Sequence, residues 1–344
     1  MKKIILILTL LLTFSLIFTA CTTTNTVETP ENNNEVSQPA EDNTPVVPTV
    51  VNIGAIKGPT GMGLVKVMED SATVSDAKYV YDFALESAAD AISPKFITGE
   101  IDIAAVPANL ASVLYNRTEG DVVVLTINTL GVLYIAENGD TVQSVSDLKG
   151  KTIYASGQGN TPEYALNYML QANGLVPGTD VKIEFKTEHS ECLAAIISEP
   201  NSVAMLPQPF ATSAMMQNEG IRIALDINGE WEKATGKRHV TGVTIARKAF
   251  VDENPEAVKA FLEAYEASVT YVNENVEEAA TLIEKHGIFK AAVAKKALPY
   301  CSISYIDGEE MKGILSEYLG ILAGQNVKSI GGAVPENDFY YIAK

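Results

Sequence analysis

The chain has 344 residues, 47% of them hydrophobic and 20% charged, with a formal net charge of −18. That length and apolar share fill a core and suffice for two lobes. No basic stripe is present to release counterions, so nucleic acid is excluded as a partner, and the acidity reads as solubility.

The chain opens on Lys2 and Lys3, followed by the apolar run "IILILTLLLTFSLIF" at 4–18, which is short for a spanning helix. "FTAC" then ends at Cys21. This pattern resembles a bacterial lipoprotein signal. The resemblance implies a signal peptide over 1–20 and a lipidated Cys21 as the mature N-terminus and membrane anchor. Residues 21–49 are rich in Thr, Asn, Glu and Pro, with almost no large apolar residue before Val46. Such a segment cannot offset its ordering entropy and reads as a disordered tether, roughly 30 Å r.m.s. in span.

From Val51 short β-rich runs alternate with helical ones, which implies a mostly parallel sheet. "VVNIGAI" is a strand, "GPTGMG" a turn, and "LVKVMED" starts a helix. "AKYVYDFAL" is a second strand, followed by a short helix in "ESAADAISPKFITGE". "DIAAV" is a buried strand ended by Pro107, and a helix ("ANLASVLYN") and a core strand ("GDVVVLTIN") follow. The same order recurs with strand "KTIYAS", turn "GQGNTP", helix "EYALNYMLQANG", strand "DVKIEF", helix "SECLAAIISEP", strand "SVAML" ended by Pro207, and helix "QPFATSAMMQNEG". Matching turns at Gly58 and Gly157, and matching prolines, point to one β-α-β-α-β plan written twice. Beyond it, "RIALDINGEWEKATGKRHVTGVTIARKAF" reads as a β run, a loop and a strand. A helix begins near Asn254 and Pro255, which suit a cap and a first position, and further helices run to the C-terminus. The chain is expected to cross between lobes near Asn128–Leu133 and again near Val240–Thr244, which makes a hinge. Lobe 1 is then 50–130 plus 242–344, and lobe 2 is 131–241. Cys192 and Cys301 read as isolated small apolar residues, with a pairing left open.

Three stretches carry a further resemblance: "GEIDIAAVPANLASVL" (99–114), "DLKGKTIYASGQGNTPEYAL" (147–166) and "ARKAFVDENPEAVKAFLEAY" (246–265). In this order, residues 50–344 resemble the ABC-transporter substrate-binding proteins that serve nitrate, aliphatic sulfonates and thiamine-precursor pyrimidines. The resemblance implies an α/β fold of the type II periplasmic-binding-protein class: two Rossmann-like lobes with mixed sheets and a two-crossing hinge. It implies an extracytoplasmic monomer that closes on a small polar or heteroaromatic solute and delivers it to a membrane permease, without cofactor. Two alternatives stay open. One is an enzyme on the same fold, like pyrimidine synthases or menaquinone-pathway enzymes, although the Cys-rich motif of the synthases is missing. The other is a ligand-sensing partner of a membrane receptor.

Ligands of open α/β sheets lie at the carboxyl ends of strands. There, Gly58, Thr60 and Gly61 offer donors at the first helix start, and Gln158, Asn160 and Thr161 do so in the second copy; Thr161 also suits a helix cap. Asn109 and Gln208 adjoin the twin prolines, and Thr129 lies at the first crossing. Ser87 and Ser190 follow the second strand of each copy, and Glu188 can accept from a ligand N–H. Tyr134, Tyr154 and Tyr164 read as core or rim packing. His189, Glu191 and Cys192 match no usual zinc spacing, and neither Gly-x-Ser-x-Gly nor His-Glu-x-x-His occurs, so no metal site and no catalytic residue is assigned.

Overall fold

The structure is a computed structural model that describes residues 48–73 and 78–343. The expected signal peptide, Cys21 and the tether up to residue 47 lie outside the described residues. Eleven strands form among the described residues: β1 (Thr49–Ile56), β2 (Tyr79–Glu86), β3 (Ile103–Pro107), β4 (Val122–Leu130), β5 (Leu133–Asn138), β6 (Thr152–Ala155), β7 (Lys182–Phe185), β8 (Val203–Pro207), β9 (Ile221–Asp226), β10 (Val240–Arg247) and β11 (Ile303–Ile306). They make two sheets, ordered β11-β4-β10-β3-β1-β2 and β7-β6-β8-β5-β9.

Both sheets are mixed. In the first, β1 is parallel to β2 and β3, while β10 runs antiparallel to β3 and β4. In the second, β6 is parallel to β7 and β8, while β5 runs antiparallel to β8 and β9. Five strands therefore pair in the same order and sense in each sheet; the repeated sequence plan predicts the three parallel strands of each, while the antiparallel pairs depart from the mostly parallel sheet expected. The antiparallel strand comes late in the chain in one sheet and early in the other.

Alternate residues of the central strands feed two cores, because successive side chains of a strand point to opposite faces. In β3, Ile103 and Ala105 join one core, whereas Ala104 and Val106 join the other. In β8, Val203 and Met205 oppose Ala204 and Leu206 in the same way. Helices cover both faces of each sheet. Cys192 and Cys301 are buried free thiols in separate cores.

Three elements depart from the sequence reading. The stretch expected to be a loop after β9 contains the helix Ile227–Thr235. Its Asn228 and Gly229 look like turn formers, but Asp226 caps it by accepting from Asn228 N at 3.0 Å, and fully buried Trp231 anchors it. The short strands β5 and β11 were not anticipated; β11 is an irregular edge strand of four residues.

The chain passes between sheets twice. The first passage is only Gly131 and Val132, inside the expected range. The second is residues 227–239, upstream of the expected Val240–Thr244, because Val240 already belongs to β10. The passages are tied together: Asn228 donates to Leu133 O (3.2 Å), accepts from Leu133 N (3.3 Å), and pairs with His239 Nδ1 (2.9 Å). A Cβ on Gly131 would fall 2.3 Å from the Asn228 side chain, so this approach requires glycine.

Candidate functional site

The loops that follow the parallel strands of the two lobes face each other. After β1 come Lys57 to Thr60, and after β2 Ser87 to Asp90. From the other lobe come Ser156 to Asn160 after β6, Lys186 to His189 after β7, and Gln208 to Phe210 after β8. These segments line two adjoining cavities, of about 560 Å³ and about 90 Å³, which share Ile56, Pro107, Pro162 and His189. The larger is bordered by polar loops, and exposed Asp90, Gln158 and Gly159 stand at its rim. The smaller is mainly apolar, with Val132, Leu133, Pro207 and Phe210 in its wall.

The candidate residues divide between walls and packing. Ser87, Gln158, Asn160 and Glu188 line the larger cavity, and Gly58, Thr60, Thr129 and Gln208 line the smaller. Several are already engaged. Thr60 donates to Ile56 O (2.9 Å), Thr129 to Asn128 Oδ1 (2.9 Å), and Gln208 accepts from the Thr212 hydroxyl (2.7 Å). Gly58 has φ +146°, a backbone conformation suited to glycine.

Four candidates lie off the cavity walls. Gly61 is buried beneath its turn, where an added Cβ would come 2.8 Å from Ile56 O. Ser190 turns outward and donates to Glu188 Oε2 at 3.1 Å. Asn109 and Thr161 are fully buried and bond each other across the lobes. The Thr161 hydroxyl donates to Asn109 Oδ1 (3.1 Å), and Asn109 Nδ2 donates to Gly159 O (3.2 Å) and to Ser329 O (3.0 Å). The polar groups of Asn109 and Thr161 are thus spent on lobe contact, Ser190 on its neighbour Glu188, and Gly61 on its turn, so none of these four stands in the cavity walls as expected. A second contact joins the lobes at Phe210 and Phe289, whose rings meet edge to face at 4.9 Å.

The tyrosines behave as packing groups. Tyr164 packs against the first lobe's core, and Tyr154 donates to Glu199 Oε2 at 2.7 Å. Burial pushes the Tyr134 hydroxyl up to about 12.

His189 was not anticipated as a cavity residue. It opens the helix His189–Ser198, its Nδ1 is hydrogen-bonded to Ser156 Oγ, and its ring lies 5.3 Å from that of Phe210. Burial pushes the imidazole down to about 4, although part of the ring faces the cavity. It is therefore neutral near pH 7. Burial also pushes the nearby Cys192 thiol up to about 11, which leaves it unreactive. Ser156 is 1% exposed, and its hydroxyl is engaged in holding the ring. The repeat did flag this helix start through Glu188 and Ser190; the side chain that enters the cavity is the one between them. Ile56, Lys186, Phe210, Pro107 and Pro162 were missed as walls because their exposure depends on how the lobes meet.

Lys186 is held by Glu184 (2.8 Å) and lies 5.1 Å from the Tyr154 ring; the Glu184 hydrogen bond raises its pKa. No group of three or more His, Cys, Asp or Glu side chains gathers as a metal site among the described residues. Taken together, the geometry can sequester a small molecule between two lobes.

Comparison with known proteins agrees with this architecture. The family model described as "NMT1/THI5 like" matches residues 82–279. No curated protein sequence matches. Among solved structures, an ABC transporter from Parabacteroides distasonis is similar with a TM-score of 0.72 at 22% identity, over 86% of this chain and 100% of that one. The periplasmic aliphatic sulphonate binding protein SsuA from Escherichia coli gives 0.67 at 17% identity, over 87% and 94%. The periplasmic nitrate-binding protein NrtA from Synechocystis PCC 6803 gives 0.54 at 16% identity, over 69% and 66%.

Proposed function

The chain belongs to the NMT1/THI5-like family, and from that membership we propose that it is the solute-binding component of an ABC importer. The observation that carries this reading is the pair of cavities walled by strand-end loops of both lobes. Two passages between the sheets, at residues 131–132 and 227–239, allow the lobes to move as units, and the contacts at Asn109 with Thr161 and at Phe210 with Phe289 belong to the closed arrangement. Closure sequesters a small polar or heteroaromatic solute, and the closed form docks on a membrane permease. The protein works outside the cytoplasm as a monomer, held to the membrane by a lipid on Cys21. Among the described residues no helix is long and apolar enough to cross a membrane.

Binding is favoured over catalysis. The Ser156 and His189 pair is the nearest approach to a catalytic dyad in the cleft, yet its hydroxyl is buried. Native mass spectrometry of the chain purified without denaturation tests the reading. An adduct of a few hundred daltons, released on unfolding and restored by titration with compaction in X-ray scattering, is the expected result. Turnover of the bound compound, or tight binding without compaction, would refute it.

A further inference from the structure

Given solute binding as proposed above, the charges and helix ends around the cleft narrow the solute's chemistry. Two helices, Thr161–Ala172 and His189–Ser198, start at the larger cavity. A helix start ordinarily attracts an oxyanion through its free N–H groups and positive dipole end. Here carboxylates already stand beside those positions, bound to amides that just precede the two helices. Gly159 N donates to Glu163 Oε2 at 2.6 Å, and Thr187 N and Glu188 N donate to Glu191 Oε2 at 2.7 and 3.3 Å. An incoming anion would meet fixed negative charge at both ends. The charged walls add no positive excess: Lys57 and Lys186 stand against Asp90 and Glu188, and no arginine lines either cavity.

His189 occupies the waist between the two cavities. The other residues common to both, Ile56, Pro107 and Pro162, have apolar side chains. Ser156 fixes Nδ1 and Phe210 fixes the ring plane, while Nε2 makes no hydrogen bond among the described residues. Beyond the waist the inner cavity is walled by Val132, Leu133, Pro207 and Phe210.

We propose that His189 selects the solute: its Nε2 hydrogen-bonds an uncharged polar atom of a small molecule whose apolar part enters the inner cavity, and the cleft rejects oxyanions. An unprotonated imidazole fits this role, since it offers one directed hydrogen bond and no charge. The paired carboxylates at the helix starts supply the rejection.

Calorimetric titration of the full chain in detergent tests this, with cytosine, thymine and nicotinamide as neutral probes and ethanesulfonate and nitrate as anions. The expected result is binding of at least one neutral ring and of neither anion at the same concentrations. His189→Phe, which keeps the ring against Phe210, is expected to weaken that binding about 2- to 13-fold, the net loss of one hydrogen bond. His189→Gln, which keeps a donor and an acceptor, loses less. Affinity stays level from pH 8 to pH 5. Circular-dichroism melting checks each variant's fold. Should His189→Phe fail to fold, weaker binding by His189→Gln and by Ser156→Ala carries the test. Equal binding by the His189 variants, preference for an anion, or no binding of any neutral ring overturns the proposal. The importer reading is judged separately, by whether any solute co-purifies and closes the lobes.

Discussion

Replacing Asn109 by Ala removes the polar bridge between the lobes without touching the cavity walls. Two of its side-chain bonds cross between lobes, to Gly159 O and from the Thr161 hydroxyl; the third, to Ser329 O, stays within the first lobe. Only the crossing pair distinguishes closed from open. At about 0.5–1.5 kcal/mol net per hydrogen bond, the pair favours closure by about 1–3 kcal/mol, a factor of about 5 to 150 in the closed population. Solute affinity of Asn109→Ala is therefore expected to fall by a factor in that range. Thr161→Val, which keeps the shape but deletes the bond to Asn109 Oδ1 and the longer one accepted from Asn109 N (3.5 Å), falls by a factor in the same range. Calorimetry with the co-purified solute gives the affinities, and X-ray scattering gives the open fraction without solute. The loss at Ser329 lowers melting temperature in both forms, so melting alone does not decide. Unchanged affinity and unchanged dimensions in Asn109→Ala would refute the latch.

Other expectations follow from single groups. Asp102 is 6% exposed and accepts from Arg247 (2.5 Å) and from Asn52 N (2.9 Å). Asp102→Ala strands the guanidinium and should cost about 3–5 kcal/mol in denaturant unfolding, and a loss under about 1 kcal/mol would show the pair to be dispensable. Burial pushes His239 down to about 3 and His189 down to about 4, from 6.5. As pH falls below 6.5 the unfolded chain takes up protons first, so their stabilisation is complete above that pH and is lost toward the folded values. Each contributes a slope of up to about 1.4 kcal/mol per pH unit. His239→Phe should flatten stability measured between pH 6.5 and 4; an unchanged slope would count against the buried neutral ring. Trp231, the one tryptophan, touches Tyr168 of the second lobe at 4.7 Å and Tyr318 of the first at 5.3 Å. Its emission should be blue-shifted, resist acrylamide, and change on solute binding. Cys21→Ser should move the protein from the membrane to the soluble extracytoplasmic fraction, and retention at the membrane would argue against a lipid anchor.

Sequence alone determined most of the order of strands and helices because alternation, turns and prolines are local signals. The twin runs ending in Pro107 and Pro207 are β3 and β8, each parallel to the strand before its glycine turn. Loops at the ends of such strands face the ligand in any fold of this kind, so residues such as Ser87 and Gln158 could be placed at the cavity from order alone. The helix holding Trp231 was not legible, because its Asn and Gly carry turn propensity and only burial against both lobes overrides it. The division of the polar candidates was also tertiary. Asn109 and Thr161 have the same chemistry as Asn160 and Thr60, and what separates latch from wall is which groups the opposite lobe brings within hydrogen-bond reach. His189 entered the cleft for the same reason: its sequence neighbours marked a helix start, but the ring's direction was set by Ser156 and Phe210, 33 positions upstream and 21 downstream in the chain. Local backbone preference is written in consecutive residues, whereas the partner of a side chain depends on packing between segments far apart in sequence.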